Sequence, residues 1–493
     1  MQPVDVTRRP VPWIPVGFAF VVGAVLLAST SGQYGYHRDE LYFLMLDPAW
    51  GYVDQPPLTP WLARTVTSVF GDHLWALRIP ATALLLCTVF LSVLTTRELG
   101  GGRRAQILCA WGLSFAAIPL AFGHVLLTAT VDLAIWAAVL LFATRALVRS
   151  QPRWWLAAGA CVGIGLLNKH LIVMLLLGVV VGLLLVGPRD ALRSGWIWAG
   201  AGLALLIAMP NLIYQATNDW PQLRMAGALA ERGGSEARAL LLPLQGLLLG
   251  VGLLPVWVAG FLALLRRPGW RPVRAVAVAY PIILVIALLS AGQFYYPLGL
   301  VIFLFAAGCV PTVEWMDRRW RQTFVVGGFL FSSALSVLLA LPIVSVADLG
   351  DTPIPDINQI ARDSVGWPVY VETLVRVYES LPEEERERTV LYTSNYGEAG
   401  ALDHYGPAYG LPGVYSGHNE LWFLGPPPEE AEVVVAWTQN FDGLARFFEV
   451  CERRATMDNG VGVDNEEQGA VVAVCRNPVG GWDAVWPQLQ HYS

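Results

Sequence analysis

Four ionisable side chains stand in a row at His37, Arg38, Asp39 and Glu40, just beyond an apolar run that ends near Thr30. Charge kept at the edge of a bilayer is costly, and it marks a place where the charge is used. The row suits general-base chemistry, with Asp39 as the catalytic base and Glu40 beside it, taking a proton from an attacking hydroxyl. Asp54 and Gln55 follow, and then Pro56 and Pro57, which force an extended backbone after the acid. The bland alternative is that Asp39 and Glu40 simply open an interfacial helix, because acids favour helix N-termini. Leu41, Leu44 and Met45 recur at helical spacing and predict such a short amphipathic helix in the bilayer interface.

A second chemical place lies at Lys169, the only lysine in the chain. The apolar run from Trp154 to Gly187 would be about 50 Å long as one helix, against a hydrocarbon core of about 30 Å. Asn168, Lys169 and His170 divide it, so the run reads as a hairpin with a recessed tip. A recessed ammonium suits a phosphate as a compact point charge, where the bland reading is a lysine that snorkels. Other outer ends carry His124 and Asp132, and Tyr295 with Tyr296. Asp132 and His124, with Asp54, are candidates to hold a divalent cation. The tyrosines read as interfacial anchors or as the lining of a cavity. The segment from Asn211 to about Arg238 reads as an outer loop whose Gly233–Gly234 pair suggests a mobile lid.

Composition sets the frame that must position these residues. The 493 residues are 55% hydrophobic and 14% charged, with mean hydropathy +0.51, where soluble domains carry about 25% charge. This is a polytopic α-helical membrane protein, with about 11 spans expected near 11–30, 79–96, 105–122, 130–148, 154–168, 170–187, 196–213, 240–265, 275–291, 297–315 and 322–345. A net charge of −6 offers no basic face for nucleic acid. Arg8 and Arg9 before the first run resemble a secretory signal, read here as an uncleaved signal anchor. Alternate loops carry the arginines, among them Arg103 and Arg104, Arg266 and Arg267, and Arg318 and Arg319. By the positive-inside rule those loops are cytoplasmic, and the loop at 31–78 and the C-terminal tail lie outside.

The expected domains are a membrane catalytic part, 1–346, and an extracytoplasmic α/β domain, 347–493. In the tail, strands are expected at 389–393, 432–437 and 470–475, and helices at 368–381 and 442–454. Two turn-rich segments, Ser394 to Glu398 and Ser416 to Glu420, read as candidate ligand contacts of low specificity. Cys87, Cys109, Cys161 and Cys309 lie in apolar runs, where a thiol behaves as a small hydrophobe. Cys451 and Cys475, in an oxidising compartment, are able to pair as a disulfide. No Walker loop, metal-ligating cysteine set or nucleophile elbow occurs in the sequence.

The segments YHRDELY (36–42), WGYVDQPPL (50–58), Phe122 to His124 with Asp132, and LLNKH (166–170) resemble bacterial members of glycosyltransferase family 39. That family belongs to the GT-C superfamily, with protein O-mannosyltransferases and lipid A aminoarabinose transferases as relatives. The resemblance covers roughly residues 30–300. It implies a membrane enzyme that transfers a sugar, with inversion, from a polyprenyl-phosphate donor to an extracytoplasmic acceptor in the cell envelope. The family's base maps to Asp39, its neighbour to Glu40, the acid before Pro-Pro to Asp54 and the hairpin lysine to Lys169. His170 stands where many relatives have Gly. Gln55 replaces a frequent basic residue, whose contact Arg38 would then supply. His37, Arg38 and His170 join the expected substrate contacts, with His124 and Asp132 implied at the donor sugar and Tyr295 and Tyr296 beside the lipid phosphate or sugar. The resemblance implies no certain cofactor beyond a candidate divalent cation, and it leaves the donor sugar and acceptor open. A lipid or sugar flippase is the alternative from another class, although such folds usually carry broken helices in internal repeats. A third reading makes the membrane part an anchor for a tail that binds.

Overall fold

The protein is described from a computed structural model covering residues 9–492. Arg8, half of the positive flank of the first span, lies outside the described residues. The chain opens with α1 (Trp13–Thr30), α2 (Arg38–Met45), α3 (Leu58–Phe70) and α4 (Leu74–Glu98). Next come α5 (Arg103–Ser114), α6 (Ala117–His124), α7 (Thr128–Val148), α8 (Trp154–Leu166), α9 (Ile172–Val186) and α10 (Gly195–Thr217). The helical part ends with α11 (Pro221–Leu244), α12 (Leu254–Arg266), α13 (Arg274–Leu289), α14 (Leu298–Trp315) and α15 (Arg319–Ala340).

Among the described residues, 7 helices are long and apolar enough to cross a membrane, and α5 with α6, bent by 57°, form an eighth candidate. The remaining expected spans are the shorter apolar helices α8, α9 and α12. The chain is therefore a multi-pass membrane protein. α7 and α14 are enclosed by other helices, whereas α1, α10 and α15 turn most of their surface outward. Small residues bring helices into backbone contact, as expected where lipid supplies no hydrophobic drive between them. A Cβ on Gly260 of α12 would lie 1.9 Å from the carbonyl oxygen of Leu304 in α14, and one on Gly159 of α8 would lie 2.2 Å from that of Gly200 in α10.

Three expectations change here. The span expected at 240–265 is broken: α11 ends at Leu244 and α12 starts at Leu254, with Gly250 at φ +101° between them. The loop expected to act as a lid is instead helical, because α11 runs through positions 233 and 234. The third concerns α2, whose apolar face meets protein and not lipid. Leu41, Tyr42 and Phe43 are buried in one core with Trp367, Leu374, Leu391 and Trp437 of the tail.

The tail is a five-stranded sheet in the order β2-β1-β3-β5-β4, built from β1 (Thr389–Thr393), β2 (Val414–Ser416), β3 (Val433–Thr438), β4 (Phe448–Thr456) and β5 (Val471–Pro478). β1 is parallel to β2 and β3, and β5 is antiparallel to β3 and β4. The helix expected at 368–381 is observed as Trp367–Glu379. The helix expected at 442–454 is not: a short helix, Phe441–Ala445, gives way to edge strand β4. That edge carries Glu449, Glu452, Arg453 and Arg454, charges that suit an unpaired strand face. Cys451 sits opposite Cys475 in the β4–β5 ladder, and the two are joined by a disulfide.

Candidate functional site

The helix start at α2 sets the direction of Asp39. His37 is the N-cap: its Nδ1 accepts the backbone N–H of Asp39 at 3.1 Å, while Glu40 Oε2 accepts the N–H of His37 at 2.9 Å. This reciprocal capping box fixes the first turn. Asp39 is half-buried. One of its oxygens, Oδ1, accepts the phenol O–H of Tyr396 from the tail at 2.9 Å.

Glu40, expected beside Asp39 as a catalytic group, has a different position. It is 0% exposed. Its Oε1 accepts the N–H of Leu126 at 3.1 Å, and Oε2 pairs with Arg78 at 3.5 Å. Arg78 in turn donates to the carbonyls of Ser31 at 2.8 Å and Gly35 at 2.7 Å, and to His124 Nε2 at 2.9 Å. Glu40, Arg78 and His124 thus form a buried bracket beneath the loop. His124, expected at the sugar or a cation, belongs to this bracket.

Arg38, expected at the leaving phosphate, turns the other way. It pairs with Glu466, with Glu467 at 3.4 Å and with Asp363 at 4.0 Å, all from the tail. Its guanidinium also lies 5.1 Å from the Tyr396 ring centroid. A cation so engaged is not free to meet a lipid phosphate.

Asp54 accepts the phenol of Tyr42 at 3.2 Å, and Asp39 is its acidic neighbour. Burial pushes the Asp54 carboxyl up to about 7. Tail residue Glu420, also raised to about 7 by burial, accepts the N–H of Val53 at 2.7 Å. Gln222 of α11 and Asn211 of α10 hold the same segment by donating to the carbonyls of Tyr52 at 3.2 Å and Trp50 at 2.9 Å. Gln55 is buried with its Nε2 unpartnered. His170, expected at the phosphate, has Nε2 3.2 Å from Asn211 Oδ1 and so braces this segment.

The tip between α8 and α9 carries the cation. Lys169 Nζ lies 5.2 Å from the ring centroid of Tyr296 and 5.8 Å from that of Tyr295. Asp132 and Asp39 are both within Coulombic reach of it. Asp132 is buried. Its Oδ1 accepts from Asn168 Nδ2 at 3.2 Å, and its Oδ2 has no partner among the described residues. Asn168 is locked by Thr59, which donates to it at 2.6 Å, and by the carbonyl of Thr128, to which it donates at 2.9 Å. A cavity of about 20 Å³ lies among Phe122, Asp132, Trp136, Lys169, Tyr295 and Tyr296.

Asp54 and Asp132, the cation candidates, thus have separate sets of partners. Among the described residues no group of three or more His, Cys, Asp or Glu is placed to hold a metal ion. The donor sets do not fit a protein-held cation, and the chemistry derived from them uses none. Tyr42, Tyr396 and Glu420 also belong to this cluster; the sequence offered Tyr42 within the YHRDELY segment, and Tyr396 and Glu420 within the two turn-rich tail segments, without a particular role for any of them.

Comparison with known proteins follows the same outline. Residues 54–214 match the family model of dolichyl-phosphate-mannose-protein mannosyltransferases. A 166-residue stretch is 30% identical to undecaprenyl phosphate-alpha-4-amino-4-deoxy-L-arabinose arabinosyl transferase 1 of Pseudomonas fluorescens, covering 32% of this chain and 30% of that relative's length. The crystal structure of ArnT from Cupriavidus metallidurans in the apo state superposes with a TM-score of 0.62 at 16% identity, over 93% of this chain and 97% of that one. Its undecaprenyl phosphate-bound form gives 0.60 at the same identity and coverage. At that identity the likeness shows the fold alone. The matched segment is thus similar to that mannosyltransferase family, and the arrangement of membrane helices and tail shares its fold with ArnT.

Proposed function

We propose that this chain is an inverting glycosyltransferase that moves a sugar from a polyprenyl-phosphate donor to a hydroxyl acceptor outside the bacterial plasma membrane. The observation that carries the reading is Lys169, held against Tyr295 and Tyr296 within Coulombic reach of both Asp39 and Asp132. A leaving phosphate needs a fixed cation, and a hydroxyl nucleophile needs a base; here each lies within the other's electrostatic range.

Asp39 Oδ2 takes the acceptor's hydroxyl proton as that oxygen attacks the anomeric carbon. The bond from that carbon to the phosphate oxygen breaks, and its electron pair leaves with the polyprenyl phosphate. Attack and departure on opposite faces invert the centre. The leaving group is already a stable anion, so no acid is required. Lys169 stabilises its charge in a water-poor pocket, where a preset cation is worth far more than in water. The free Oδ2 of Asp132 is a ready acceptor for a donor-sugar hydroxyl.

The relative crystallised with undecaprenyl phosphate supports the donor class by fold analogy. The arginine-rich alternate loops and the Cys451–Cys475 disulfide support an extracytoplasmic tail. The test uses the full chain in liposomes, with polyprenyl-phosphate sugars extracted from the host's own membranes as donor pool. Sugar should leave the lipid in the presence of envelope acceptors, and Asp39→Asn should stop this with folding intact. Lipid movement that survives Asp39→Asn, without transfer, favours a flippase instead.

A further inference from the structure

Asp39 lies in the first outer loop, yet its only side-chain hydrogen bond among the described residues comes from Tyr396, which is 357 residues away. That phenol is held on every side. Its ring centroid is 4.8 Å from Tyr42, 5.1 Å from His418 and 5.1 Å from the guanidinium of Arg38. Its backbone N–H donates to His418 Nδ1 at 3.0 Å. Asn395 caps the helix Tyr396–Tyr405 through a box with Glu398, so the residue sits at a fixed helix start. The helix reaches α2 because Gly397 and Gly400 have no side chains. A Cβ on Gly400 would stand 2.8 Å from Leu41 Cβ, and one on Gly397 would stand 3.0 Å from Arg38 Cβ.

We propose that Tyr396 is a positioning residue for the base, and that the tail therefore completes the catalytic carboxylate instead of serving as a separate module. This rests on the reading of Asp39 as the base. A carboxylate's terminal torsion is broad and roughly two-fold, so an unclamped Asp39 would rotate freely. The phenol O–H takes Oδ1 and stops that rotation, leaving Oδ2 for the acceptor hydroxyl. Base efficiency depends on such alignment. The arrangement is paired: Tyr396 serves Asp39 while Tyr42, tilted against its ring, serves Asp54. Two phenols from opposite ends of the chain thereby fix the spacing of the two acids.

The test separates alignment from folding. Tyr396→Phe keeps the ring and its contacts with Tyr42, His418 and Arg38 and loses only the donor. In the transfer assay it should lower kcat about ten- to a hundredfold with KM for the donor pool retained. A 3,5-difluorotyrosine installed at 396, isosteric and still a donor, should keep the rate of the wild type. Tyr415→Phe, on strand β2, should leave kcat unchanged. Equal kcat for the wild type and Tyr396→Phe, or a loss confined to KM, would overturn the proposal. The assignment of Asp39 as base is judged separately by Asp39→Asn.

Discussion

Glu40 Oε1 accepts the backbone N–H of Leu126 at 3.1 Å, tying the first turn of α2 to the turn between α6 and α7. Neighbouring carboxylates, Asp39 and Glu40, are therefore placed differently, one half-exposed and one sealed in the interior. Removing one partner of a buried ion pair costs about 3–5 kcal/mol. Glu40→Ala should accordingly lower the unfolding midpoint of the detergent-purified protein and lose transfer in proportion. Asp39→Asn should lose transfer alone, so the pair of melting curves separates the two roles.

Lys169→Met should weaken the hold on a lipid phosphate while preserving the helix hairpin. A charge-assisted contact is worth about 1.5–3 kcal/mol, or roughly a ten- to hundredfold change in affinity. Titrating undecaprenyl phosphate against thermal stability would measure it: the wild type should be stabilised at low lipid, and the variant only at much higher concentrations.

Asp54 predicts a pH dependence. Its carboxyl is raised to about 7 in the folded protein, so the native state binds more protons than the unfolded chain between about pH 4 and 7. Its ionisation thus removes native stability as pH rises through that window. Asp54→Asn, neutral throughout, should gain relative to the wild type across the same window, by about 1–3 kcal/mol at pH 8. Denaturant melts at pH 5 and pH 8 would check the sign. A difference that does not grow with pH refutes it.

The Cys451–Cys475 bond closes a loop with a sequence separation of 24. A cross-link of that span stabilises by about 3 kcal/mol. Cys475→Ser should lower tail stability by this order and free the part-exposed thiol of Cys451 on edge strand β4 for a membrane-impermeant thiol reagent added to intact cells. Protection of Cys451 in cells, with labelling only after lysis, would put the tail on the cytoplasmic side.

The membrane plan can be read from the sequence because apolar length and arginine placement are local signals. The β1, β3 and β5 segments are equally plain as short runs of apolar and β-branched residues. β4 is not, because its Glu and Arg residues mimic a solvated helix until Cys451 is seen pairing with Cys475. The same limit applies at the site. Asp39, Asp54 and Lys169 stand out by charge against apolar surroundings, but Arg38 reads equally well as a phosphate ligand. Its true partners, Glu466 and Glu467, lie over 400 positions away, with separations of 428 and 429. No spacing rule spans such a gap. Residues near the two tail turns do contact something of functional weight, and it is the protein's own loop.

The core that joins Leu41, Tyr42 and Phe43 to Trp367, Leu374 and Trp437 also sets a timetable. During synthesis α2 emerges with its greasy side uncovered and waits until nearly all of the chain has been threaded. A ribosome that stops early, or a protease that trims the last third, leaves behind a membrane bundle in which Asp39 has lost the phenol of Tyr396 and the apolar side of α2 stays uncovered.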